Sequence, residues 1–231
     1  MNVVISGSSR GIGMELVKLF CQDGHMVCAL SRNILPLKAL AKSHANLMSV
    51  EFDINKIHSH AGELTKKLRQ HFGSSAHILI NNAGTLFNKT FEGTTQEEAA
   101  LMFGTNFFGA AGLIKALLPM LKECDKAHVI NITSMGGVQG SAKFAGLSHY
   151  AASKAALNVL TECLAEEYKH TNIKFNALAL GAVQTEMLNE AFPGYKAPLS
   201  AREMAGFITR FSLTGHNYFN GKILPVSLST P

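Results

Sequence analysis

The chain has 231 residues, 47% of them hydrophobic and 16% charged, with a formal net charge of +5. That balance supplies a large buried core and excludes a disordered or acidic-tail protein. Basic residues are scattered, tryptophan is absent and the densest basic stretch is "TKKLR" at 65–69, so the chain lacks the clustered cations and aromatic platforms of a nucleic-acid groove; a mildly basic chain suits a small polyanionic ligand instead.

From the N-terminus, "VVIS" at 3–6 is a short apolar run that predicts a buried strand. It is far too short for the apolar region of a signal peptide. The stretch 14–24 repeats apolar residues at helical spacing and stops at Gly24. Strands are predicted at 26–31, 47–52, 77–80, 127–133, 173–180 and 222–228. Helical patterns fall between them at roughly 34–44, 59–72, 96–122 and 150–169. Pro225 cannot donate to a ladder and argues for an edge position or a late irregularity in the last strand. No run of 18 uninterrupted apolar residues is present, so no membrane span is expected, and the expected location is cytoplasmic. Strand–helix alternation with no linker or repeat predicts one α/β domain over 1–231: a doubly wound, Rossmann-type parallel sheet with helices on both faces. Such a sheet binds ligands at the carboxyl ends of its strands.

The four cysteines, Cys21, Cys28, Cys124 and Cys163, form no C-x-x-C pair and no zinc spacing. They read as free buried thiols in a reducing compartment. His58 and His60 are the one close histidine pair, without a cysteine nearby, and no metal site is expected.

"SGSSRGIG" at 6–13 follows the first strand directly. Gly7, Gly11 and Gly13 permit a tight turn whose N–H groups approach a phosphate at the positive end of the next helix. Gly7, Ser9, Arg10, Gly11, Ile12 and Gly13 are therefore candidate dinucleotide contacts. The second strand ends in Ser31 and Arg32 rather than in an acid. Arg10 and Arg32 could converge on a 2′-phosphate, which favours NADP(H) over NAD; Arg32 could also be a solvated strand end. Asp53 either accepts from an adenine amino group or caps the following helix. "NNAG" at 81–84 offers Asn82, Ala83 and Gly84 for polar contacts to a cofactor, or makes a simple turn.

Tyr150 and Lys154 are four apart (154 − 150 = 4), hence on one helix face. A tyrosine titrates near ~10. An ammonium about 4 Å away at an effective dielectric of about 20 contributes roughly 4 kcal/mol. That is about three pKa units, enough to bring the phenol near ~7, where general acid–base catalysis works best. Ser134 closes the fifth strand, where its hydroxyl can polarise a substrate carbonyl or simply form a turn. Asn106 lies in "TNFFG" within a predicted helix, as a packing residue or beside a carbonyl released to hold a water.

The pieces "SGSSRGIG", "NNAG", "TNFFG", "NITS", "YAASK" and "LGAVQTEM", in this order over essentially the whole chain, resemble the single-domain branch of the short-chain dehydrogenase/reductase family. The resemblance implies a seven-stranded sheet and hydride transfer from a nicotinamide. It implies that Tyr150 donates the proton, that Lys154 holds the nicotinamide ribose and lowers the tyrosine pKa, that Ser134 orients the carbonyl and that Asn106 anchors a water-linked relay to Lys154. Val183 and Thr185 match positions that touch the nicotinamide carboxamide and the phosphate. Three features depart from the family pattern. Ser134 and Tyr150 are 16 apart (150 − 134 = 16), a longer gap than usual. Leu180-Gly181 replaces a common Pro-Gly, and the ending "VSLSTP" lacks a glycine pair tied to tetramer contacts. A homodimer or homotetramer is expected from the resemblance, with the long helices facing a second copy.

The sequence thus predicts an NADP(H)-dependent oxidoreductase acting on an apolar carbonyl or alcohol. Met135, Phe144, Leu147, Met187, Leu188 and Phe192 are expected around that substrate. A 3-oxoacyl thioester reductase is a narrower version. A non-catalytic dinucleotide-binding sensor or scaffold is the rival from another class.

Overall fold

The computed structural model describes residues 1–228. In chain order the elements are β1 (Asn2–Ser6), α1 (Gly11–Gln22), β2 (Met26–Ser31), α2 (Leu35–Ala41), β3 (Leu47–Glu51), α3 (Ile57–Phe72), β4 (Ile78–Asn81), α4 (Gln96–Phe103), α5 (Ala110–Lys122), β5 (Ala127–Ser134), α6 (Ser148–Glu167), β6 (Ile173–Leu180), β7 (Val183–Gln184), α7 (Glu186–Ala191), β8 (Leu199–Ser200), α8 (Ala201–Thr214) and β9 (Lys222–Val226). Seven strands form one parallel sheet in the order β3-β2-β1-β4-β5-β6-β9, and β7 pairs with β8 in a small second sheet. β9 is an edge strand, as Pro225 requires, and pairs with β6 alone. Of the terminal "VSLSTP", residues 229–231 lie outside the described residues.

Because the central strands are buried on both faces, they are apolar without alternation. Val3 and Ile5 face one core layer and Val4 the other. The first layer holds Leu16, Val17 and Phe20 of α1 and Met204, Ala205 and Ile208 of α8. The second holds Leu64 and Leu68 of α3 with Leu113, Leu117 and Met120 of α5. Each fully buried leucine or phenylalanine contributes roughly 1.5–3 kcal/mol.

Two helical regions differ from the sequence reading. The predicted helix 96–122 is two helices joined by a π-helical segment, Gly104–Gly109. By length and composition this whole run could cross a membrane, but half of its most apolar window is buried inside the domain. The second difference is α8, which packs beside α1, lies outside the predicted helices and yet carries a local start signal. Its Ser200 accepts from the Glu203 N–H at 3.2 Å while Glu203 accepts from the Ser200 N–H at 2.9 Å, a capping box.

The chain lays β1, β2 and β3 in one direction, then returns to place β4 on the other side of β1. Strand order reverses there, which opens a crevice beyond the carboxyl ends of β1 and β4.

Candidate active site

A cavity of about 350 Å³ occupies that crevice. It runs from the turn after β1, past the ends of β2 and β4, to Ser134, Tyr150 and Lys154, and is closed by the segment after β6. Of the predicted site residues, only Gly13 and Asn106 stand behind its wall rather than on it.

The turn after β1 is shaped by glycine. Gly7 (φ 68°) and Gly11 (φ 54°) have left-handed backbones. A Cβ at Gly7 would lie 2.6 Å from the Ala83 Cα, and one at Gly13 would overlap the Gly7 carbonyl oxygen. Asn82 locks the turn from below, its amide donating to the carbonyls of Ser6 (3.1 Å) and Gly7 (2.9 Å). The Ser6 hydroxyl accepts from the N–H groups of Asn82 and Ala83, both at 3.1 Å. Asn82 and Ala83 therefore line the cleft while holding the turn in place. α1 begins at Gly11 with no side-chain cap, so its first N–H groups face the cavity.

At the far end of the cavity, Ser134 ends β5 and Tyr150 and Lys154 project from α6. The Ser134 hydroxyl is hydrogen-bonded to the Tyr150 phenol and also accepts from the Gly136 N–H at 3.2 Å. Lys154 is 3% exposed; its Nζ donates to the Ile132 carbonyl of β5 at 2.9 Å and lies 5.8 Å from the centre of the Tyr150 ring. α6 comes close because Gly137 carries no side chain: a Cβ there would lie 2.8 Å from the Ala155 nitrogen.

Asn106 is fully buried in the π-helical segment. Its Oδ1 accepts from the Thr85 N–H at 2.8 Å, and its Nδ2 donates to the Thr85 carbonyl at 3.0 Å and to Ser153 Oγ at 2.9 Å. Ser153 in turn donates to the Tyr150 carbonyl at 2.7 Å. The side chain thus couples the segment after β4 to the turn of α6 that carries Tyr150. Any water relay from Asn106 would run through its main chain.

Electrostatics correct one expectation. Burial pushes the Tyr150 phenol up to about 12, outweighing the hydrogen bond from Ser134, which lowers it. The same desolvation brings Lys154 down to about 8. Both shifts disfavour the charged form, because the walls of the cleft withdraw water from phenolate and ammonium alike. The phenol therefore keeps its proton at neutral pH rather than titrating near ~7. Lys154 spends its hydrogen bond on Ile132 instead of the phenol.

Around the rim, Asp53 accepts from the Asn55 N–H at 3.0 Å, so it caps the turn after β3 while lining the cavity. Arg32 is exposed and makes no hydrogen bond or ion pair among the described residues. Arg10 also lines the cavity, and its guanidinium bonds Glu190 of α7 at 2.6 Å; this pair holds the Arg10 pKa above its ordinary value. Gly84 borders Lys154, and a Cβ there would lie 3.6 Å from its Nζ. Val183 lines the cavity from β7, and Thr185 caps α7 by accepting from the Leu188 N–H at 3.2 Å. Ile132, Ser153 and Glu190 were not singled out in the sequence. The first acts through its main chain, and Ser153 and Glu190 meet Asn106 and Arg10 only across the fold. Among the described residues, no group of three or more His, Cys, Asp or Glu side chains could hold a metal ion.

Comparison with known proteins places this geometry. The short chain dehydrogenase family matches residues 1–196. A 3-ketodihydrosphingosine reductase of Bacteroides thetaiotaomicron is 33% identical over 176 residues, covering 74% of this chain and 60% of the relative. Less than two thirds of that relative's length is therefore spanned. In fold, the chain is similar to a 3-ketoacyl-(acyl-carrier-protein) reductase of Brucella melitensis complexed with NADH (TM-score 0.88, 22% identity, covering 98% of this chain and 96% of that one). It is also similar to ElxO with NADP bound (TM-score 0.86, 24% identity, 98% and 96% covered). With its parallel sheet, its glycine turn and this match over most of its length, the chain belongs to the short chain dehydrogenase family.

Proposed function

We propose that this protein is an NADP(H)-dependent oxidoreductase that transfers a hydride between the nicotinamide and a carbonyl or secondary alcohol. The observation that carries the reading is the Ser134–Tyr150–Lys154 cluster at one end of a cavity whose other end is a bare glycine turn and the open end of a helix. The residues fit a dinucleotide. The uncapped N–H groups of α1 suit a pyrophosphate, and Gly84, which lines the cavity beside Lys154, adds no side chain there. Arg32, which makes no hydrogen bond or ion pair among the described residues, suits a 2′-phosphate.

When bound, the reduced nicotinamide supplies the hydride to the carbonyl carbon. The chain's own residues do the rest. Ser134 Oγ holds the carbonyl oxygen, and Tyr150, which retains its proton at neutral pH, gives it to that oxygen as charge develops there. The Lys154 ammonium stabilises the phenolate left behind. Leu86, Phe144, Leu147, Met187 and Phe192 make the outer wall apolar, which favours an apolar substrate. Two relatives named for 3-keto substrates fit the same direction, including the narrower 3-oxoacyl version. The exposed Phe108 and Val159 would cover one another's counterparts in a homodimer or homotetramer.

The test is NADPH oxidation with a panel of aldehydes, ketones and quinones, on wild type and Arg32→Asp. Turnover is expected with at least one carbonyl. The variant should bind NADPH about tenfold more weakly or worse, as loss of a charge-assisted contact implies. Cofactor binding without turnover on any carbonyl would favour the non-catalytic sensor. Unchanged NADPH affinity in Arg32→Asp would remove the 2′-phosphate assignment.

A further inference from the structure

The apolar half of the cavity is built from three separate segments. Leu86 belongs to the connection after β4, Phe144 and Leu147 to the loop before α6, and Met187 and Phe192 to α7 and its end. None of the three is held by the main sheet, so something else must fix their spacing. One side chain meets all three. Asn88 Nδ2 donates to the carbonyl of Ala191, the last residue of α7, at 2.6 Å. Its Oδ1 lies against the bare face of Gly146, where a Cβ would overlap it. Gly146 is left-handed (φ 83°), and its carbonyl accepts from the Lys89 N–H at 3.1 Å, which ties the two loops together beside the same side chain. Asn88 does not itself line the cavity.

We propose that Asn88 is a positioning residue that sets how far the apolar wall closes over Tyr150, and so determines which carbonyl substrates are held; this rests on the reading of the cleft as a carbonyl-reducing site. A substrate large enough to touch the wall feels the closure. One small enough to sit between Ser134 and Tyr150 does not. A neutral amide–carbonyl hydrogen bond at a partly exposed site corresponds to about a fivefold change in an equilibrium constant.

The experiment compares wild type with Asn88→Ala and with Asn88→Asp, which keeps the shape but replaces the donor by an acceptor. Steady-state kinetics use NADPH with acetaldehyde and with a series of aryl and long-chain ketones, and amide hydrogen exchange follows residues 186–192. For the bulky ketones both variants should raise KM about fivefold with kcat within about twofold. For acetaldehyde KM should not move, NADPH affinity should be unchanged, and the amides of α7 should exchange faster. Unchanged KM for every ketone, unchanged exchange, or an Asn88→Asp protein that behaves as wild type overturns the proposal. So does a fall in kcat at constant KM. If wild type reduces no carbonyl at all, the enzymatic reading fails, and the exchange of α7 alone decides whether Asn88 clamps it.

Discussion

The inner end of the cavity and its rim are held by different bonds. At the inner end, Lys154, Asn106 and Ser153 are buried and tied to main-chain carbonyls of β5, the segment after β4 and α6. Each bond forms away from competing water, and breaking one leaves a buried polar group unsatisfied. At the rim, Arg10 and Glu190 meet with side chains 51% and 63% exposed, where an ion pair contributes little and can exchange for another anion. The same fold thus presents a rigid inner cluster and a looser enclosure. Under the proposed function, proton transfer belongs to the first and choice of substrate to the second.

Backbone crowding offers the strongest way to break this comparison. In Gly13→Ala the new Cβ would overlap the Gly7 carbonyl oxygen, a backbone atom that cannot move aside cheaply. The turn and its dinucleotide site should be lost together, seen as a fall in the thermal midpoint and no measurable NADPH binding. A variant with wild-type affinity would show that the turn is not built as described.

Acid provides a smaller test on the interior alone. His128 on β5 is 1% exposed; its Nδ1 faces the Ser212 carbonyl at 3.1 Å, and its Nε2 accepts from the Asn176 amide at 3.0 Å. Asn176 Oδ1 is committed to the Lys222 N–H, so the amide cannot turn to receive a second imidazole proton. Burial accordingly brings His128 down to about 4 from 6.5. A depressed folded-state pKa means that the unfolded chain binds the proton more tightly. Stability is full above 6.5 and falls as pH drops toward 4. Between pH 7 and pH 5 the loss should be about 2 kcal/mol by denaturant titration. His128→Leu should flatten that dependence. An equally steep profile in the variant would assign the acid sensitivity to other histidines that burial holds below their ordinary value, such as His71, His77 and His216.

Much of this was legible in the sequence because it rests on local pattern. The apolar runs marked every strand of the main sheet, and the glycine turn and the Tyr150–Lys154 pair fell where strand–helix alternation put them. What stayed hidden was non-local. The π-helical segment around Asn106 has the same apolar periodicity as the helices on either side. The partner of Lys154 is a main-chain carbonyl of Ile132, 22 residues away, which no side-chain pattern announces. The tyrosine shift runs opposite to the sequence expectation for a related reason: an ion-pair argument at fixed distance counts the attracting charge but not the water that folding removes from both groups. Helix α8 is different, since its Ser200–Glu203 capping box is a local signal present in the sequence itself.

The measurement that bears most directly on the proposed chemistry separates binding from turnover in Tyr150→Phe. NADPH affinity should stay within about twofold of wild type, because the ring and its packing are kept, while kcat for the best carbonyl substrate falls by roughly 10²–10⁴, the usual contribution of a positioned proton donor. A variant that keeps both its affinity and at least a third of its turnover would contradict the assignment of Tyr150 as the group that protonates the substrate.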